Sequence, residues 1–295
     1  MYLNPQQQNG LRLIKTIINE IKSSKINNLT LHLIGVFMLL SSITIEAQDN
    51  TKEGHYQAFS AGAHLKNMHL WHGSVVHPGA MLATHLEFNS RNKKFTLGLW
   101  GGAGFTSTDV LNKDTGESVS ANYKELSIYT LYRFTDKFFI EAVSHNNYTG
   151  VEERGDVLHY WSYNKTQGYN FVDVNFGYNV TPNTLLYLAT IIGGGAGDFE
   201  IQNDGSYKDS WTHYFEVKSK VWQKHNSSLS LFAGGAWSFL TDKTFYTKKA
   251  GNLINVGATY GENIKIGNHK LPVEVTAMWN PEAEKTVLQL DIMLF

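Results

Sequence analysis

Histidines are concentrated in one stretch of the sequence. His64, His69, His72, His77 and His85 stand close together along the chain. Imidazole nitrogens that converge can bind zinc, copper or nickel. Their spacing matches no helical ligand motif, however, and a hairpin would direct some of them to opposite faces. We therefore expect polar loop and interior residues here, and we predict neither a metal nor a cofactor.

A second candidate chemistry is hydrolysis by a serine and a histidine, with a polar residue that orients the imidazole. His145 is followed by Asn146 and Asn147, and His213 lies near Ser210. The nucleophile motif Gly-x-Ser-x-Gly does not occur. A lipid-acting hydrolase therefore stays an alternative, and we predict no catalytic residues.

Charged and ionisable residues form a third set, on the polar face of segments in which polar and apolar side chains alternate. The set comprises Glu87, Glu125, Arg133, Glu141, His145, Asp173, Glu216, Lys218, Lys220, Glu274 and Asp291. Such charges are costly on a lipid-facing surface, so we place them in an aqueous interior. Charged side chains of this kind set ion preference in pores. The alternative is a network of ion pairs that plugs a narrow barrel.

The composition limits the function classes. The chain has 295 residues, with 25 Lys+Arg against 26 Asp+Glu and a net charge of -1, so no nucleic-acid partner is expected. The absence of cysteine excludes disulfides, thiolate zinc sites and a cysteine nucleophile. Charged residues make up only 17% and aromatic residues 13%, a mixture typical of strands.

The elements that position these residues are strands of about ten residues with alternating polarity, each long enough to cross a bilayer when tilted. About twelve runs of this kind are present, an even number that allows an antiparallel barrel to close. They lie near 55-66, 80-89, 94-105, 121-134, 138-148, 169-180, 184-195, 209-222, 228-239, 251-264, 270-280 and 284-295.

Connection lengths alternate along the chain. Short turns near 90-93, 135-137, 181-183, 224-227 and 266-269 alternate with longer loops near 106-120, 149-168, 196-208 and 240-250. Outer-membrane barrels have short periplasmic turns and long extracellular loops, whereas a soluble sandwich has no reason for this alternation. The fold class predicted is therefore all-β, a single transmembrane antiparallel barrel in the outer membrane of a Gram-negative bacterium.

The first fifty residues have a different pattern. Lys15, Lys22 and Lys25 precede an apolar stretch over 29-40, and a small residue follows at Ala47. This order is typical of a secretory signal peptide. We predict a cleaved signal peptide over 1-47 and the barrel over 48-295, with an uncleaved membrane anchor as the alternative.

Aromatic and aliphatic residues define the surface predicted to face lipid. Phe88 and Phe95 flank one short turn, and Trp237 and Trp279 share the apolar parity at the opposite strand ends, as in the two aromatic belts of membrane proteins. Outer-membrane lipid is thus an expected partner. The predicted lipid face includes Leu126, Ile128, Val174, Phe176, Val217, Leu231, Val256, Val275 and Leu290.

Several segments carry a resemblance to a known group. The last strand ends at Phe295, and the sequence resembles bacterial outer-membrane barrels, whose terminal aromatic residue is read by the barrel-assembly machinery. The junction Ala47-Gln48 and the segments over 70-73, 97-105 and 123-125 are similar to those of outer-membrane proteins of Bacteroidetes-type bacteria that are assigned as porins. The resemblance implies a location in the outer membrane and a channel role, with no substrate attached.

Because carboxylates outnumber basic side chains on the polar face, we expect a porin-like channel with a mild preference for cations. A plugged barrel with a structural or adhesive role remains the alternative, beside the hydrolase.

Overall fold

A computed structural model describes residues 56-295, apart from 112-116, 148, 150-161, 166-167, 169 and 268. The signal peptide predicted over 1-47 lies outside the described residues. Within these ranges the chain is all-β, and no helix there is long and apolar enough to span a membrane.

Sixteen strands are present in the described ranges, and twelve of them close into an antiparallel barrel. The barrel strands are β1 (Phe59–Lys66), β4 (Met81–Asn89), β5 (Phe95–Leu111), β6 (Ser118–Arg133), β7 (Phe138–His145), β8 (Phe171–Thr181), β9 (Thr184–Gly194), β12 (His213–Lys224), β13 (Ser227–Trp237), β14 (Gly251–Ile266), β15 (His269–Asn280) and β16 (Lys285–Met293). Consecutive barrel strands are neighbours, and β16 pairs with β1. The predicted all-β fold, an antiparallel barrel of about twelve strands, is confirmed.

The alternating polar and apolar residues of the sequence lie on the two opposite faces of the barrel sheet. On β5, Leu97 is 47% exposed while its neighbour Thr96 is 3% exposed. Leu126, Phe176, Leu231 and Leu290 of the predicted lipid face likewise lie on the outward, exposed side. Side chains of successive strand residues point to opposite faces, so the polar set necessarily points into the lumen.

Two long connections hold more strand than the sequence indicates. The predicted loop near 106-120 is wrong at both ends, because β5 runs on to Leu111 and β6 begins at Ser118. These extensions pair with each other beyond the end of β4, from Ser107 opposite Asn122 onwards. The loop near 196-208 similarly contains a hairpin of β10 (Phe199–Ile201) and β11 (Tyr207–Asp209).

A second small sheet lies inside the barrel. After β1 the chain forms β2 (His69–Trp71) and β3 (Ser74–His77), here termed the inner hairpin. Its two-residue turn has positive φ at both His72 (46°) and Gly73 (80°), the geometry that tight hairpins require. The histidines of this stretch were expected in loop and interior positions, but a hairpin with both faces in the interior was not predicted.

The tip of the inner hairpin packs on the opposite wall. His72 stacks on Tyr214 of β12, and the Asn280 side chain of β15 donates to the Gly73 carbonyl at 2.9 Å. The Gly73 Cα lies so close to the Ile254 backbone that a Cβ there would clash. The tip of the inner hairpin therefore lies against the side of the lumen formed by β12, β14 and β15.

Candidate functional site: an acidic cavity in the barrel lumen

A cavity of about 720 Å³ remains between the inner hairpin and the wall made by β4 to β7. Its lining follows β5 from Thr96 near the short turn to Thr108 in the extended hairpin. At about 3.3 Å per residue, this corresponds to roughly 40 Å of strand. The cavity therefore extends along most of β5, beside the wall formed by β4 to β7.

Alternate residues of each strand face inward, and this places the functional side chains on the inner surface of the wall. Odd positions of β4, β6 and β7 and even positions of β5 face inward, which places Glu87, Glu125 and Glu141 on the cavity surface. Gly98 allows the Tyr129 ring to lie flat against the sheet, since a Cβ at this position would lie 2.1 Å from the ring. Tyr129 can then donate its hydroxyl hydrogen to Glu87 at 2.6 Å.

Hydroxyl and amide groups, not basic side chains, are the hydrogen-bond partners of the cavity carboxylates. Glu125 accepts from the hydroxyls of Tyr123 and Ser127, each at 2.6 Å. Glu141 accepts from the Asn175 amide at 3.1 Å. Arg133 lines the same cavity but donates to the Thr96 hydroxyl at 3.2 Å. The carboxylates are thus held in place without being neutralised by Lys or Arg.

His145 occupies the cavity edge between two acids. Its Nε2 lies 3.0 Å from Asp173, and its Nδ1 lies 4.0 Å from Glu125. The ring also stacks on Phe171, with centroids 4.4 Å apart. In the described ranges, no serine or threonine hydroxyl is hydrogen-bonded to either nitrogen of His145, so no pair of nucleophile and base is formed there. This arrangement argues against His145 as the base of a hydrolase.

The second hydrolase candidate is also not assembled. His213 Nδ1 pairs with the Thr190 hydroxyl at 2.9 Å, and the ring packs beside Trp237 and Phe239. In the described ranges, no hydrogen bond joins His213 to Ser210, whose own hydroxyl is buried without a partner. Ser210 and His213 are close in sequence, but they do not form a catalytic pair.

The other predicted lumen residues lie away from the cavity. Glu216 accepts from Tyr214 at 2.5 Å and from Asn255 at 2.7 Å. Lys218 and Glu274 share the inward parity and are exposed to solvent, and Lys220 lies on the same face as Lys218. The predicted set is therefore divided around the barrel wall instead of forming one ring.

Asp291 forms a separate cluster at the seam where the barrel closes. It lies 2.8 Å from both His64 Nδ1 and Lys66 Nζ. Lys66 was not among the predicted residues, because it stands at the end of β1 where the alternating pattern stops. The contact between Lys66 and Asp291 arises only from the pairing of β1 with β16.

The five clustered histidines are all interior but do not converge. His69 stacks on Trp100, His77 stacks on Tyr123, and His72 stacks on Tyr214, while His64 and His85 lie on the barrel wall. In the described part of the chain, no group of three His, Asp or Glu residues could hold a metal ion.

Burial changes the acid-base properties of the inner hairpin. Desolvation lowers the pKa of His69 from 6.5 to about 4, against the opposing field of Glu125. Desolvation also lowers the pKa of His72 well below its usual value, and nearby His145 acts in the same direction. Both imidazoles are therefore neutral at pH 7 while the hairpin is in the lumen.

The aromatic lining of the cavity was not predicted from the sequence. Trp71, Trp100 and Phe245 share the lining with the carboxylates. Tyr187, which stands near a short turn, also lies in the lumen, close to His72. The one available signal was the His72-Gly73 pair between short apolar runs, which is a hairpin turn signature.

No protein-family model matches the sequence, and no curated protein matches it. The resemblance to Bacteroidetes-type porins therefore stays a prediction.

Solved structures show loose similarity over most of the chain. The toluene transporter TbuX of Ralstonia pickettii is 10% identical and covers 80% of this chain and 87% of its own, with a TM-score of 0.35. The CymD monoaromatic hydrocarbon channel is 8% identical, covering 81% and 87%, with a TM-score of 0.39. LpxR from Salmonella typhimurium is 9% identical, covering 80% and 99%, with a TM-score of 0.37. Function is accordingly argued from the residues of this chain.

Proposed function

We propose that the chain forms an outer-membrane channel that passes small hydrophilic solutes with a mild preference for cations. The observation that carries this proposal is the acidic cavity, which follows β5 from Thr96 to Thr108 past Glu87, Glu125 and Glu141. A passage lined by carboxylates lowers the energy of a cation relative to an anion. Solutes would move between the inner hairpin and the wall formed by β4 to β7.

The remaining inward charges on the barrel strands are of both signs. The carboxylates of inward parity are Glu87, Glu125, Glu141, Asp173, Glu216, Glu274 and Asp291, and the basic side chains of the same parity are Lys66, Arg133, Lys218, Lys220, Lys265, Lys270 and Lys285. The proposed cation preference therefore rests on the carboxylates that line the cavity. Lys66 is paired with Asp291, so it contributes little to the field in the passage. The preference should be stronger at low salt, where screening is weak.

The proposed location follows from the outer surface. Exposed Phe88 and Phe95 lie beside a short turn, and exposed Trp279 lies near the opposite strand end. Aromatic rings at the two ends of an apolar band suit two membrane interfaces. Outer-membrane lipid would contact this band, and the barrel-assembly machinery would recognise the C-terminal strand.

The inner hairpin favours a second candidate, a barrel that is plugged and has a structural or adhesive role. Trp71 and His72 fill one side of the lumen with ring contacts to Phe171, Tyr214 and Tyr246. A hairpin held this firmly could close the lumen completely. Conductance decides between the two candidates.

The test is planar-bilayer recording of the purified, folded protein across a salt gradient. We expect single-channel steps and a reversal potential that indicates cation preference, and we expect Glu87→Gln, which removes one charge from the cavity lining, to reduce that preference. A current that prefers anions would contradict the proposal, and a folded protein without conductance would favour the plugged barrel.

Orientation can be tested separately. The turn at Asp204 lies on the side of the long connections, whereas Asn183 lies in a short turn. A tag at Asp204 should be labelled on intact cells, and a tag at Asn183 should not. The reverse result would mean that the barrel is inserted with the opposite orientation.

A further inference from the structure

We propose that the lumen cavity is a binding site for a small protonated organic amine whose apolar part rests on the aromatic wall. The inference deepens the proposed function and rests on it, because it names the class of solute that the passage would select. It depends on charge, on unpartnered polar atoms and on the chemistry of the walls.

The first support is uncompensated negative charge. Across the described ranges, no Lys or Arg nitrogen lies within 4.0 Å of a carboxylate oxygen of Glu87, Glu125 or Glu141. His145 approaches Glu125 only at that limit, and it is shared with Asp173. Partly buried anions that are hydrogen-bonded but not neutralised favour entry of a cation.

The second support comes from two imidazoles of the inner hairpin. His69 and His77 both line the cavity, and each has one buried ring nitrogen without a hydrogen-bond partner. His77 is only 1% exposed. A neutral imidazole has one donor and one acceptor nitrogen, and with the proton on Nδ1 the unpartnered Nε2 of His77 is an acceptor. A cavity that offers acceptors and anions suits a ligand that supplies N–H donors.

The third support is the wall between the acids. Trp100, Leu131 and Val143 give the cavity an apolar surface, and Trp71 and Phe171 lie at its edge. Aromatic faces attract organic cations as well as apolar groups. A volume of about 720 Å³ is in the range of sites that hold small organic ligands. A bare metal ion fits less well, because no metal-binding group of three side chains exists among the described residues.

The experiment measures equilibrium binding of 2-phenylethylamine to the purified barrel in detergent at pH 7.5, by quenching of tryptophan fluorescence and by calorimetry. Trp71 and Trp100 line the cavity and so report directly on occupancy. Phenylacetate and 2-phenylethanol share the ring but carry a negative charge or none. We expect saturable binding of the amine and at least tenfold weaker binding of the other two.

Glu141→Gln is the decisive variant, because the amide keeps an acceptor for Asn175 while it removes the charge. We expect it to weaken amine binding by about tenfold, as for the loss of one partner of a desolvated charge pair. Glu274→Gln is the matched control, since Glu274 faces the lumen but does not line the cavity. Heat-modifiable gel mobility verifies that both variants are folded.

The two proposals fail in different ways. Equal binding of amine and phenylacetate, or unchanged affinity in Glu141→Gln, would overturn the amine site even if the channel conducts cations. Amine binding that depends on Glu141 in a barrel without conductance would support the site and overturn the channel. If the channel conducts and the site is correct, the amine should also block the current, and Glu141→Gln should relieve the block.

Discussion

His72 at the tip of the inner hairpin lies parallel to Tyr214 of β12, with ring centroids 4.0 Å apart and an interplanar angle of 13°. The same imidazole pairs through Nδ1 with the Tyr246 hydroxyl at 2.8 Å. One histidine thus joins a hairpin from the start of the barrel to a wall strand and to a loop from its second half. These two contacts hold the tip of the inner hairpin against the far wall of the lumen.

Loss of the Tyr246 hydroxyl should loosen the inner hairpin. Tyr246→Phe leaves the ring contacts in place but removes the partner of a buried nitrogen, at a cost of about 1–3 kcal/mol. We expect larger or more frequent openings in bilayer recordings. Tyr207→Phe, on the exposed β10–β11 hairpin, is the control and should behave like the parent protein. Unchanged conductance in Tyr246→Phe would show that the hairpin is not held by this contact.

Acidification should weaken the docking of the inner hairpin. The pKa of His69 is about 4 in the lumen against 6.5 in water, so the released hairpin binds more protons between these two values. Docking is therefore fully favourable above pH 6.5 and is progressively lost as the pH falls towards 4. Conductance recorded at a series of pH values should increase over this interval.

The groups around His69 and His72 shift the pKa values of these imidazoles in both directions. Glu125 favours protonated His69, while Lys66, His77 and His145 oppose it. His72 faces the uncharged rings of Tyr187, Tyr214 and Tyr246, with His145 opposing its protonation. The double variant His69→Gln/His72→Gln should flatten the pH response, whereas His225→Gln in an exposed turn should retain it. A response that survives the double variant would assign it to other groups.

Gly177 should tolerate no side chain. Phe139 covers it from the neighbouring strand, and a Cβ there would lie 2.0 Å from the ring. We expect Gly177→Ala to reduce the free energy of unfolding by about 1–3 kcal/mol, the usual cost of overpacking. Gly193→Ala is the matched control, because nothing lies within 4 Å of its Cβ position. Urea titration monitored by gel mobility compares the two, and equal stability would contradict the close approach.

The seam between β1 and β16 should depend on Asp291. The ladder there has three residue pairs, against eight between β1 and β4, so side-chain contacts matter more for closure. Asp291→Asn removes the charge that His64 and Lys66 share and should cost about 1–3 kcal/mol, because the cluster is largely shielded from solvent.

Glu282→Gln is the control for this seam variant. It breaks the pair with Lys249, whose side chain is 65% exposed, and an exposed pair contributes about 1 kcal/mol or less. Unfolding in urea is the measurement. A smaller effect for Asp291→Asn than for Glu282→Gln would mean that the backbone ladder alone closes the barrel.

The sequence by itself determined the barrel and its inward face. Alternation of polarity is a local property with a period of two, so Val174 and Phe176 had to lie opposite Asp173 and Asn175 wherever β8 was placed. Turn and loop lengths are also local features of the sequence. Their alternation indicated which strand ends lie on the same side of the barrel. For these reasons twelve strands, most of their bounds and the inward direction of Glu87 and Glu141 could be predicted.

Only the tertiary structure decided what fills the barrel and which charges pair. The contact of His64 with Asp291 joins positions 227 apart, and it depends on how the sheet is staggered where it closes. Insertion of the inner hairpin depends on the fit of His72 and Gly73 against Tyr214 and Ile254 on distant strands. No local pattern contains this fit, since both faces of a hairpin within a lumen are interior and its alternation no longer distinguishes inside from outside.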